Sequence, residues 1–297
     1  MPNRIKKRRM LFFLYLLSIV VTSTAQVQQQ PWFFAVLADP QIGMFAHDQN
    51  FAQETANFEF AVANLNRLHP RFVVICGDLV NRPGDPAEIA EYKRVLQKLD
   101  PSIPVYNVAG NHDVGDVPTP ATIDAYRSAF GRDYYTFSMS GIFGIVLDSN
   151  LIRSPEGDPE AASQQEEWLE KTLASAKSNP KEQIVVFQHI PYFTRDANEA
   201  VGYFNISQPA RRRYLDLLEK TGVKYIFTGH YHRNAIGTDG PLMEIVTGAV
   251  GEPLGGSLSG FRLVTVEGQK FDSTWFCFGG IPNQVDLQKP LSTSCPQ

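Results

Sequence analysis

Four of the six histidines, His112, His189, His230 and His232, lie in short polar segments that also carry Asp39, Asp78, Asn111 and Asp113. In chain order these are Asp39-Pro40-Gln41, Gly77-Asp78, Gly110-Asn111-His112-Asp113, Gln188-His189 and Gly229-His230-Tyr231-His232. Imidazoles mixed with carboxylates and an amide suit Mn, Fe or Zn better than Ca or a dedicated Mg site, which take oxygen ligands. Two such ions about 3.5–4 Å apart can supply a deprotonated water and neutralise phosphoryl oxygens, which is what in-line cleavage of a phosphoester needs. One carboxylate must then touch both ions, and Asp78, following the flexible Gly77, is the candidate. His230 and His232 are two residues apart, so on an extended segment their side chains point the same way and can serve adjacent ions.

Each residue has an ordinary reading when taken alone. A single aspartate after a strand is more often a helix cap or a turn former, and Gly110-Asn111 is a turn pair. His189, ahead of Ile190-Pro191, fits a buried structural histidine. The joint occurrence of all five segments, each closing an apolar run, is what points to a site.

The apolar runs 32–38, 72–76, 105–109, 184–187 and 225–227 predict strands that deliver these groups at their C-terminal ends. Helical spacing occupies 51–68, 86–99, 119–130, 160–176 and 207–220, with Pro86 and Pro120 where a first turn tolerates proline. Alternation of this kind predicts βαβ units with buried, largely parallel strands, and ligands bind at the C-terminal edge of such sheets. From residue 134 the idiom changes. Runs 134–139 and 142–147 flank Ser140-Gly141 as a hairpin, and 242–247, 261–266 and 271–278 continue as strands, so a second sheet packed on the first is expected.

A chain of 297 residues, 43% hydrophobic, can bury one large core. One domain is expected over 32–280, followed by an irregular tail, 281–297. Arg4, Lys6, Lys7, Arg8 and Arg9 precede an apolar run at 11–21 and the small residues Ser23-Thr24-Ala25, the pattern of a cleaved signal peptide over 1–25, with a short spacer at 26–31. Export to the periplasm or the exterior follows. The alternative is a tether left uncleaved, although 11 apolar residues fall short of the roughly 20 needed to span a bilayer. Cleavage removes those five cations and no carboxylate, moving the formal net charge from −4 to −9. An acidic surface without a basic stripe excludes a nucleic-acid partner, and no membrane contact is expected after cleavage. Cys76 ends an apolar run and reads as a small buried residue, whereas Cys277 and Cys295 could pair in an oxidising compartment.

The segments together resemble the calcineurin-like metallophosphoesterase superfamily, with the pattern Asp-x-His, Gly-Asp-x-x-(Asp/Asn), Gly-Asn-His-(Asp/Glu), His, Gly-His-x-His over about residues 32–267. Ala38-Asp39-Pro40-Gln41, Cys76-Gly77-Asp78-Leu79, Phe187-Gln188-His189-Ile190-Pro191, Tyr203-Phe204-Asn205 and Gly229-His230-Tyr231-His232-Arg233-Asn234 are similar to its subgroup of serine/threonine protein phosphatases. The resemblance implies an α/β fold in which a β-sandwich of two mixed sheets is flanked by helices (α/β/β/α). It implies a metal-dependent hydrolase using a two-metal-activated hydroxide, with Asp39, Asp78 and His232 on one ion and Asp78, Asn111, His189 and His230 on the other. His112 becomes the proton donor to the leaving oxygen, with Asp113 orienting its ring. Asn81 and Arg82 become substrate contacts, although Arg82 also fits a solvated loop charge.

One departure stands out: Gln41 occupies the position of the superfamily's first histidine, so the first ion gains a neutral amide oxygen or nothing there. Tyr192, Phe193, Tyr203, Phe204 and Tyr231 could form an aromatic wall, though such residues are more often core. The expected substrate is a phosphomonoester, in a phosphoprotein or a small molecule. A phosphodiesterase or nucleotidase, and a non-catalytic metal-binding module, are the alternatives. Retention of His112 argues against the last, because a binding module has no use for a leaving-group acid.

Overall fold

The computed structural model describes residues 30–178 and 182–295; the expected leader at 1–25 and most of the spacer lie outside the described residues. The chain begins with β1 (Trp32–Leu37), α1 (Ala52–Leu68), β2 (Val73–Ile75), α2 (Pro86–Leu96), β3 (Val105–Asn107), the single turn α3 (Asn111–Val114) and α4 (Pro120–Phe130). There follow β4 (Tyr135–Met139), β5 (Ile142–Val146), α5 (Ser149–Arg153), α6 (Pro159–Lys177), β6 (Gln183–Phe187) and α7 (Gln208–Lys220). The remainder is β7 (Tyr225–Thr228), β8 (Ala235–Asp239), β9 (Leu242–Val246), β10 (Gly260–Glu267) and β11 (Lys270–Cys277).

Two mixed sheets result, ordered β11-β10-β1-β2-β3 and β4-β5-β6-β7-β9-β8. The first has β1, β2 and β3 parallel, with β10 and β11 added antiparallel. The second runs parallel from β5 through β6 and β7 to β9, with antiparallel β4 and β8 at its edges. The four-layer α/β/β/α expectation is met. The predicted alternation does not map onto one parallel sheet, however: β6 and β7 belong to the second sheet, while β10 and β11 return to complete the first.

Three buried clusters hold the layers together. Phe34, Phe72, Phe187 and Phe227 interlock between the sheets, with Phe34 stacked on Phe72 at 4.7 Å and Phe187 on Phe227 at 5.5 Å. Phe58, Leu65, Tyr92 and Tyr126 pack helices onto the outer face of the first sheet, and Leu169, Leu173, Leu215 and Leu218 do so for the second. Burial on both faces is why β1 reads as an unbroken apolar run. Each fully buried large side chain contributes about 1.5–3 kcal/mol.

Helix starts follow sequence chemistry. Asp85 accepts the Ala87 and Glu88 amides ahead of Pro86, and Thr119 accepts the Thr122 amide ahead of Pro120. The edge strand β8 carries no apolar run, so nothing in the sequence announced it. The tail after Gly280 is irregular, as expected, but it is not frayed. Cys277 and Cys295 form a disulfide, with Cα atoms 5.8 Å apart, and Ile281, Val285 and Leu291 pack against the first core. No helix among the described residues is long and apolar enough to cross a membrane.

Candidate metal centre

β1, β2 and β3 of one sheet and β6 and β7 of the other end at the same rim, so five apolar strands deliver their terminal polar residues to one place. There the backbone bends sharply: Asp39, Gln41, Asp78, His230 and His232 all have positive φ, between 39° and 66°. Non-glycine residues rarely occupy this region, and its repeated use turns side chains inward at some cost in strain. Gly77, also at positive φ, lets the chain pass beneath the His189 ring; a Cβ there would collide with it.

Ligand atoms of Asp78, His189 and His230 lie within 4.8 Å of one another, as do those of Asp39, Asp78 and His232. Asp78 is common to both clusters, and every member is buried. Each histidine has one ring nitrogen on a backbone carbonyl. His189 Nδ1 donates to Cys76 O at 2.8 Å, His230 Nε2 to Tyr203 O at 3.0 Å, and His232 Nδ1 to Glu252 O. A donor committed in this way fixes the tautomer and leaves the other nitrogen a bare acceptor, the state a metal ligand requires.

What these acceptors face is the test of fit. His189 Nε2 stands 3.0 Å from Asn111 Oδ1 and 3.2 Å from Asp78 Oδ2; His232 Nε2 stands 3.4 Å from Asp39 Oδ1. Asn111 is oriented by its amide nitrogen, which donates to Asp116 Oδ1 at 3.2 Å and Tyr203 Oη at 3.3 Å, turning its oxygen inward. Lone pairs converging on lone pairs without a proton between them repel unless a cation fills the gap. Gln41 adds to this: its amide nitrogen donates to Asn81 Oδ1 at 3.1 Å, and its Oε1 is buried with no hydrogen bond. An oxygen- and imidazole-rich donor set of this type fits borderline divalent or trivalent metals.

The electrostatics agree. Burial opposes charge on Asp78, but the imidazoles of His189, His112 and His230 outweigh it and hold the carboxyl below its ordinary range. Burial likewise opposes charge on His189, yet the adjoining Asp78 carboxylate pushes the ring up to about 9. His230 goes the other way, to about 3, through burial and the repulsion of His189.

The structure brings Asp39, Gln41, Asp78, Asn111, His112, His189, His230 and His232 together and reassigns three neighbours. Asp113 does not orient His112. Its carboxylate accepts the amides of Leu79 at 2.9 Å, Val80 at 3.1 Å and Gly110 at 2.8 Å, stitching the β2 loop to the β3 loop. His112 Nδ1 donates instead to the Asn81 carbonyl at 2.8 Å, leaving Nε2 as the working atom. The Asn81 side chain is engaged within the protein: its amide nitrogen donates to Asp48 at 2.7 Å and its amide oxygen accepts from Gln41, and through its carbonyl it links Gln41 to His112. Arg82 pairs with Asp48, Asp85 and Glu88, as a loop charge does.

The aromatic set divides. Tyr192 and Phe193 are core, whereas Tyr203, Phe204 and Tyr231 cluster beside His230, tilted for Tyr203–His230 and edge to face for Tyr203–Phe204 and Phe204–Tyr231, with ring centroids 5.0–5.2 Å apart. Arg153, at the end of α5, was missed altogether. Its guanidinium lies 5.0 Å over the Tyr203 ring.

Residues 34–234 match the model of the calcineurin-like phosphoesterase family. The chain belongs to that family. It is 38% identical over 251 residues to serine/threonine-protein phosphatase CPPED1 of Danio rerio, spanning 80% of this chain and 81% of that protein. The human protein of that name is 36% identical over 256 residues, 81% of this chain and 82% of the relative. The fold resembles that of a dimetal phosphatase from Danio rerio, with a TM-score of 0.60 and 17% identity over 82% of this chain and 95% of the other. Purple acid phosphatase PPD1 from yellow lupin gives 0.63 and 14% over 85% and 52%. The family, these relatives and the two ligand clusters make the protein a metallophosphoesterase, a hydrolase of phosphoester bonds.

Proposed function

We propose that this chain is a phosphomonoesterase working with two metal ions, and that phosphoserine or phosphothreonine in proteins is among its substrates. The observation that carries the reading is the convergence of five side chains, Asp39, Asp78, His189, His230 and His232, whose three imidazoles each have one nitrogen fixed by a backbone carbonyl. Asp39, Asp78, His232 and the free Gln41 oxygen would hold one ion; Asp78, Asn111, His189 and His230 would hold the other. Mn, Fe or Zn suits this donor set. When bound, the pair supplies a nucleophilic water at neutral pH and neutralises charge on the phosphoryl group.

The chain's own residues do the rest. His112, held at Nδ1 by the Asn81 carbonyl, keeps Nε2 to give a proton to the leaving oxygen. Asp113 and Gly110 keep the two loops in register, so that the His112 amide donates to Asp78 Oδ1 at 2.9 Å and fixes the shared carboxylate. The protein-phosphatase reading is supported by the printed name of the curated relatives. Export is supported by the basic-then-apolar leader of residues 1–25, and a disulfide is at home in an oxidising compartment.

The test is a panel of aryl phosphate, bis-aryl phosphate, phosphopeptides and nucleotides, offered to metal-stripped protein after adding Mn, Fe, Zn or Mg singly. Metal-dependent turnover of aryl phosphate and phosphopeptide above the diester is expected. No metal-dependent turnover of any member would sink the proposal.

A further inference from the structure

We infer that Arg153, seated on Tyr203, is the residue that binds the terminal phosphoryl oxygens of the substrate and sets the preference for monoesters over diesters. The inference rests on the phosphomonoesterase reading and deepens it.

Three observations meet at this side chain. First, Arg82, the arginine that adjoins the metal motifs in sequence, is engaged by three carboxylates, whereas Arg153 has a single loose ion pair, with Asp116 Oδ1 3.8 Å from its Nη1 and beyond hydrogen-bond reach. Second, Nη1 is buried and without a hydrogen bond, although the side chain as a whole keeps 19% of its surface exposed. The exposed part of the side chain is therefore not Nη1. Third, the guanidinium is one ring away from two ligands of the second cluster. Tyr203 lies beneath Arg153 at 5.0 Å, its hydroxyl accepts from Asn111 at 3.3 Å, and its carbonyl accepts from His230 at 3.0 Å.

Tyr203 is itself held in place from behind. Glu199 gathers the amides of Thr194 and Arg195 and the side chain of Asn205, and Asn205 Oδ1 accepts the Gly202 amide at 2.9 Å. The loop between β6 and α7 is thus built to hold one exposed tyrosine over the ligands. A guanidinium fork stacked on an aromatic face, with no carboxylate within hydrogen-bond reach of its buried Nη1, is suited to a tetrahedral oxyanion. A monoester dianion carries one more terminal oxygen and one more negative charge than a diester, so an arginine beside the metals favours it selectively.

The experiment compares wild-type holoenzyme with Arg153→Gln and Arg153→Lys. Kinetics on aryl phosphate and bis-aryl phosphate are read together with inhibition by inorganic phosphate, metal content and melting temperature. Arg153→Gln should raise KM for the monoester and Ki for phosphate about tenfold or more, with a several-fold smaller loss on the diester. Arg153→Lys should recover part of the phosphate affinity. Equal losses on both esters, or an unchanged phosphate Ki, would overturn the inference. So would a loss of bound metal that accounts for the kinetic change, since Arg153 would then support the ligands and not the substrate. Failure of the wild-type enzyme to hydrolyse aryl phosphate at all would count against the parent reading; normal wild-type turnover with an unaltered Gln variant counts against Arg153 alone.

Discussion

Individual side chains in this centre have divided duties, and His112 shows it best. Its Nδ1 is committed to the Asn81 carbonyl, so a proton can leave or arrive only at Nε2. Replacing it by alanine should slow a substrate with a poor leaving group by about 10²–10⁴, yet slow an activated aryl ester much less, because only the former needs a proton in the transition state. Leaving-group dependence of kcat/KM measures this, and equal losses on both would remove the acid role. The mistaken pairing of His112 with Asp113 has a simple cause. Adjacent residues on a helical turn point about 100° apart, so sequence neighbours in Asn111–Val114 do not face one another. The candidate ligands were legible because imidazoles and carboxylates close five apolar runs in order, although each alone would pass for a cap or a turn residue. Arg153 and Tyr203 were not, since neither lies in a pattern: one ends a five-residue helix, the other sits mid-loop.

Strand ends and the loops that follow them do the positioning, and close backbone approach is their method. At Gly110 a Cβ would overlap the Asp78 amide and carboxylate, so the β2 and β3 loops are in contact through a missing side chain. Gly110→Ala should therefore push the loops apart, costing about 1–3 kcal/mol in stability and a larger fraction of metal affinity. Thermal melting with and without metal separates the two; an unchanged metal affinity would show that the Asp78 position is not set by this contact. At this scale most of the fold was legible, because strands buried on both faces and proline-capped helices leave strong local signals. Which sheet each strand joins was not, since β10 pairs with β1 across more than 200 residues of chain, carrying β11 with it, and nothing local encodes that.

The whole molecule carries buried carboxyls outside the metal centre that should shape its stability. Burial raises Asp148, with Asp133 adding to it, to about 7, and raises Glu244 to about 8 even though two backbone amides donate to it. Both keep a proton in the folded chain that the unfolded chain releases near pH 4. Their contribution is complete below that value and is lost as pH rises towards 7 and 8. For metal-free protein, the unfolding free energy should fall as pH rises from about 4 to about 8, by on the order of a few kcal/mol in all. Glu244→Gln should flatten the upper half of that slope; a slope unchanged by the substitution would mean that Glu244 is ionised in the folded state.

One shared carboxylate, Asp78, joins two candidate ion sites, each built from strand ends of both sheets. Metal content of the purified protein, titrated to saturation, tests it most directly. The account predicts two ions per chain, one remaining after His232→Ala, and neither held tightly after Asp78→Ala. Saturation at a single ion, with full monoester turnover and no further loss in the His232→Ala variant, would contradict it.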